Sequence, residues 1–196
     1  MKIKNKVDTV LFKTEYTVFL FHNSSKVRTE DYKYKVVQNM KVRKMVKEDI
    51  DLLINIRMDY LFAEKGVYSS EEVQDIRAKL EEYFTQHLNK GFIAIIAENE
   101  NEVLATAFMS IVERPPMIAF SSYLVGTVYN VFTYPQYRGK GIATKVMTEL
   151  LSEAKLLGVA AVDLMATEKG KPLYENLGFR VSKYTSMNKF PLTPAK

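Results

Sequence analysis

The residues with the clearest chemical potential are Arg138, Gly139, Lys140, Gly141, Ile142, Ala143 and Thr144. Before them runs a short β-type segment, Tyr129 to Thr133, which Pro135 closes because proline cannot join a sheet ladder. After them, apolar residues recur at helical spacing: Ile142, Val146, Met147, Leu150, Leu151 and Ala154. A glycine turn that feeds a helix N-terminus aims several backbone N–H groups at one place, and the helix dipole adds partial positive charge there. Arg138 and Lys140 add full charges, and the two glycines let the backbone approach a ligand with no Cβ in the way. Together these features favour a phosphate or pyrophosphate. The spacing matches neither the Gly-x-Gly-x-x-Gly dinucleotide fingerprint nor the P-loop. The competing reading is a plain strand–turn–helix corner with solvated basic residues.

Arg138, Gly141 and Ala143 fit the pattern Gln/Arg-x-x-Gly-x-Gly/Ala, which resembles the acyl-CoA signature of the GNAT N-acetyltransferase superfamily. A second block, MATEKGKPLYENLGF from Met165 to Phe179, is similar to that family's later segment ending in Tyr-x-x-x-Gly-Phe. The resemblance starts near Met40 and runs to about residue 190. It implies an acetyl-CoA-dependent N-acetyltransferase in which a primary amine, of a small molecule or a peptide, attacks the thioester directly in a ternary complex. Its fold would be a mixed, mostly antiparallel sheet with one splayed parallel pair, flanked by helices. By the same resemblance the backbone at Val131, Phe132 and Thr133 pairs with pantetheine, Arg138 to Thr144 hold the pyrophosphate, and Tyr174 is the general acid.

A phenol suits that role because its pKa lies close enough to a thiol's for proton transfer to the departing thiolate. The alternative for Tyr174 is a core aromatic beside Leu173 and Leu177. On the acceptor side stand Arg57, Tyr129 and Asn130. Arg57 interrupts an otherwise apolar stripe and could hold a carboxylate, or it snorkels at the surface. The central strand offers no carboxylate base, Glu113 has only its position to recommend it, and a water chain is the default. A non-catalytic acyl-CoA-binding or sensing module is the alternative function.

The elements that must position these groups are readable from pattern. Val42 to Val46 predicts a first strand, and Asp49 opens a helix through Ile50, Leu53, Ile54, Ile56, Met58, Leu61 and Phe62, ended by Gly66. Ser69 with Glu72 is a capping-box pair for a second helix that Gly91 closes. Phe92 to Ala97 and Val103 to Val112 predict two strands around a polar turn, and Leu124 to Thr133 a central strand with Gly126 as a bulge or kink. Val159 to Met165 follows the long helix; strand–helix–strand implies a parallel pair. A short helix after Pro172 and a last strand, Phe179 to Met187, complete the domain, with 191–196 as a tail. The loop from Glu113 to Ser122 is either a substrate wall or a connector.

Composition bounds the rest. The 196 residues are 47% hydrophobic, enough for one domain core. There is no cysteine, so no disulfide framework, thiolate nucleophile or cysteine zinc site, which agrees with a cytoplasmic setting. His87 is the only histidine after residue 22, which leaves no histidine metal cluster, so no metal is expected. No apolar run is long enough to span a membrane. The net charge is +5, but residues 1–39 carry eight Lys/Arg against four acids, while the rest is nearly balanced. The basicity therefore belongs to the extension, and nucleic acid is not an expected partner of the main domain. Residues 1–39 read as a β-rich arm that packs on the domain or on a second subunit of a homodimer, or as a segment upstream of a natural start at Met40.

Overall fold

The computed structural model describes residues 39–100, 102–115, 118 and 122–189. The arm expected in residues 1–38 lies outside them, as do Met117 and Phe120 of the loop and the tail.

Five strands form one sheet in the order β1-β2-β3-β4-β5. They are β1 (Lys41–Lys44), β2 (Phe92–Glu98), β3 (Val103–Glu113), β4 (Leu124–Thr133) and β5 (Ala161–Leu164). The first three pairings are antiparallel and β4–β5 is parallel. Four helices flank the sheet: α1 (Ile50–Lys65), α2 (Ser70–His87), α3 (Ile142–Leu156) and α4 (Lys171–Asn176).

β2 shows why the sheet must be covered on both faces. Its residues alternate sides, as any strand's do. Ile93, Ile95 and Ala97 join the core under α3, with Val146, Met147 and Leu150. Phe92, Ala94 and Ile96 join a second core with Leu53, Ile54 and Ile56 of α1 and Phe84 of α2. The apolar spacing of α3 is thus spent on one face, where Ile142, Val146, Met147, Leu150 and Ala154 are all buried. The chain leaves α3 through Gly158 at φ +77°, the left-handed conformation its position called for. The Ser69–Glu72 capping box forms in both directions.

Several expectations are corrected. β1 stops at Lys44, because Val46 N–H turns to cap on the Asp49 carboxylate at 2.8 Å. α2 ends at His87 rather than near Gly91: Asn89 takes φ +61° and its N–H pairs with Phe92 O at 2.7 Å. β5 is only four residues long, since Val159 N–H still bonds the end of α3, at Ala154 O, and Met165 is already exposed. No strand forms from Phe179 to Met187. Phe179 packs on the α3-side core, but Val181, Tyr184 and Met187 are exposed, so that run has no apolar face to bury. Gly126 is not a bulge; it stays in register with Ile111 and Val162. Its lack of a side chain answers to Met109, whose sulfur would lie 2.5 Å from an added Cβ.

Candidate active site

The site begins where β4 loses one neighbour. The parallel pairing runs from Val125–Ala161 to Val128–Leu164 and stops, so Tyr129 to Thr133 pair only with β3. At the same place β4 bulges. Phe108 opposes Tyr129 and Thr106 opposes Phe132, leaving Asn130 and Val131 against the single residue Ala107. Asn130 sits at φ +54°, which asparagine tolerates better than most residues, and is 2% exposed. The parted strands open into a cleft of about 1220 Å³, bounded by β4, the turn into α3, the segment after β5, and Tyr174 of α4.

The turn into α3 forms one end of that cleft. Gly141 is the residue before the helix at φ +73°, and no side chain caps this end. Gly139 is at φ +75°. A Cβ at either glycine would meet nothing within 4 Å, so both face open space rather than protein. The first N–H groups of a helix have no partner within it, and here no side chain caps them, with the dipole behind them. Ile142 is buried beneath them, while Ala143 and Thr144 line the cleft. The two cations do not converge on this point. Arg138 donates from Nε to Thr133 O at 2.9 Å, with its guanidinium 5.8 Å from the Phe132 ring. Lys140 lies over Tyr137, its Nζ 5.5 Å from the ring centre. The two glycines thus frame an open turn before the helix, while the Arg138 and Lys140 side chains lie against Thr133, Phe132 and Tyr137.

Tyr174 stands in the same cleft, on α4, which Pro172 starts and Gly178 (φ +88°) ends. Its ring is half-buried and meets Phe179 edge-on at 6.0 Å. Among the described residues nothing hydrogen-bonds its hydroxyl. Burial, and then the nearby Tyr60 phenol, raise its pKa above the ordinary value, so it is a neutral proton donor near pH 7.

The three acceptor-side residues are brought together. Arg57 on α1 donates from Nη1 to Asn130 Oδ1 at 2.9 Å. Its guanidinium lies 5.3 Å from the Tyr60 ring and 5.9 Å from the Tyr129 ring. Tyr129 lines the cleft and also joins the core: its hydroxyl accepts from Ser110 at 3.0 Å and its ring packs on Phe92 and Phe108. Burial raises its pKa far above the ordinary value. Glu113 pairs with Leu124, at the opposite end of β4 from the bulge, roughly 20 Å away at strand spacing. It is not the base. Asp163 lines the cleft but is engaged by Thr127 Oγ1 at 2.6 Å. Two lining residues, Tyr60 and Glu64, were missed. They follow Arg57 at i+3 and i+7, one face of a helix, which was the available signal. Among the described residues no cluster of side chains could hold a metal ion.

Comparison with known proteins agrees with this geometry. The model of the acetyltransferase (GNAT) family matches residues 51–179. A glucosamine 6-phosphate N-acetyltransferase of Trypanosoma brucei brucei is 38% identical over 56 residues, which span 29% of this chain and 38% of that relative's length. A predicted acetyltransferase of Clostridium acetobutylicum, crystallised with acetyl-CoA, is 33% identical with a TM-score of 0.66, over 76% of this chain and 96% of the other. A GCN5-related N-acetyltransferase of Ralstonia eutropha shares the fold at 23% identity and TM-score 0.63, over 76% and 98% of the two chains. The parted strands, the glycine corner and the matched length give one conclusion: the chain belongs to the GNAT acetyltransferase family.

Proposed function

We propose that this protein is an acetyl-CoA-dependent N-acetyltransferase that acetylates a primary amine by direct attack in a ternary complex. The observation that carries the reading is the uncapped N-terminus of α3, fronted by two positive-φ glycines, at the mouth of a parted sheet with Tyr174 in the same cleft. The cradle fits a diphosphate because an added Cβ at Gly139 or Gly141 would occupy space that the protein leaves open. Residues 138–144 would hold that group, and the one-sided backbone of Val131 to Thr133 would pair with the pantetheine amides as an added strand does.

Acetyl-CoA supplies the acyl group and a thiolate leaving group. The protein's part is to align two substrates in one cleft, to offer donors where negative charge builds on the carbonyl oxygen, and to hold a proton for the thiolate. Tyr174 holds that proton on its hydroxyl. The amine attacks as the free base, forming the C–N bond as the C–S bond breaks. Its surplus proton leaves through solvent, and the phenolate recovers one from the same source. The cytoplasm is the setting that this cofactor and the lack of cysteine suggest.

The test pairs calorimetry with acetyl-CoA and a thiol-release screen over amines. Glucosamine 6-phosphate, the acceptor in the trypanosomal relative's name, belongs in the screen with amino acids, polyamines and peptide N-termini. Saturable binding with amine-dependent release supports the enzyme. Binding with no release from any amine supports a sensing module instead.

A further inference from the structure

Asn130 gathers three local peculiarities. It is the bulged residue of β4, its φ is +54°, and it is 2% exposed with its Nδ2 unpartnered among the described residues. A guanidinium has only donors, so Arg57 can bond the asparagine solely through Oδ1, and this contact fixes which way the amide faces. An unsatisfied buried donor costs stability, and backbone held away from its usual basins adds to that. Such costs concentrate where the surrounding structure has a geometry to enforce.

Arg57 is built for enforcement. It reaches from α1 across to β4, and the Tyr60 and Tyr129 rings flank its guanidinium at 5.3 and 5.9 Å. Among the described residues no carboxylate pairs with it, in contrast to Arg43, which bonds both Asp49 and Glu98. Its one directional contact is the bulge. The bulge lies roughly 10 Å along β4 from Thr133, on the side away from the glycine corner. A thioester anchored at that corner and extended along β4 would bring its reactive end there.

We propose that Arg57 and Asn130 form a clamp that holds the β4 bulge in the backbone conformation needed to meet the acyl group, and that Arg57 is a positioning residue for acyl transfer. The inference rests on the acetyltransferase reading above. The clamp touches the reacting end of the cleft and not the diphosphate end, so its loss acts on turnover and spares acetyl-CoA binding. The flat Arg57 guanidinium bonds Asn130 while lying near two tyrosine rings, a setting that a compact lysine ammonium matches poorly despite its charge.

The experiment compares Arg57→Met, Arg57→Lys, Asn130→Gly and the Arg57→Met/Asn130→Gly double variant with wild type. Glycine keeps φ +54° accessible while deleting the clamped amide. Calorimetry should give acetyl-CoA Kd values within about threefold of wild type. Turnover should fall roughly 10- to 100-fold in both single variants, with Arg57→Lys recovering only part, and the double variant should be no worse than either single, as one shared interaction requires. A turnover-independent arm measures amide exchange by NMR: Arg57→Met should speed exchange at Asn130 and Val131 and leave α3 unchanged. Wild-type turnover in Arg57→Met, multiplying losses in the double variant, or unaltered exchange at the bulge would each overturn the clamp. Failure of wild type to bind acetyl-CoA would instead strike the functional reading, and the exchange arm still decides whether the clamp exists.

Discussion

At the scale of single residues, the chemistry turns on a proton. Tyr174 is a cleft phenol whose hydroxyl has no hydrogen-bond partner among the described residues, and burial raises its pKa. Replacing it by phenylalanine keeps the ring contact with Phe179 but removes the hydroxyl that the proposed mechanism uses as its acid. Tyr174→Phe should lower kcat by roughly 10²–10⁴-fold and leave acetyl-CoA affinity unchanged, as steady-state kinetics with calorimetry would show. Because the pKa is raised, the neutral acid persists beyond the ordinary tyrosine value of about 10. The alkaline limb of kcat should therefore fall above pH 10, and a limb well below that would assign it to another group. A second titration concerns stability. The hydrogen bond from Arg43 holds the Asp49 carboxyl below its ordinary pKa, against the opposing effect of burial. The folded-state pKa is lowered, so the stabilisation is complete above the unfolded value of about 4 and is lost as pH falls through the folded one. Urea midpoints at pH 7 and pH 3 should differ more for wild type than for Asp49→Asn.

At the scale of elements, two features decide the site: the end of α3 and the kink in β4. Gly141→Val puts a β-branched side chain at φ +73° and into the open cradle. Acetyl-CoA binding should weaken at least tenfold by calorimetry, while Tyr174→Phe leaves it unmoved; equal affinities for the two variants would remove the cradle from the account. Much of this scale was legible in the sequence. The strand Leu124–Thr133, the apolar stripe of α3 and the glycine that closes it follow from local rules that tertiary contacts did not override. The bulge was placed at Gly126 because glycine is the usual marker. It lies at Asn130, which has a Cβ, sits in the left-handed region within the β3 register shift, and accepts a hydrogen bond from Arg57. No local pattern carries that information. Arg57 itself was legible as an interruption in an apolar stripe, but not its contact across 73 positions of chain.

At the scale of the whole molecule, two cores grip one sheet from opposite faces, and the cleft opens where the β4–β5 pairing gives out. Leu150 is fully buried in the α3-side core, so Leu150→Ala should cost about 2–5 kcal/mol by urea unfolding. Met40 packs against that core. Truncation at Met40, followed by urea unfolding and calorimetry with acetyl-CoA, decides between the two readings of residues 1–39: retained folding and binding would make them an extension, and loss of folding would make them part of the domain. Glu113 belongs to this scale too: strand register holds it at the far end of β4 from the bulge, which sequence position could not reveal. The central claim is that the amides opening α3 grip the diphosphate of acetyl-CoA, and its most direct test is an amide-resolved NMR titration of the wild-type chain with that cofactor. The account predicts saturable shifts concentrated at residues 138–144 and 131–133; no binding, or shifts confined to surfaces away from that corner, would contradict it.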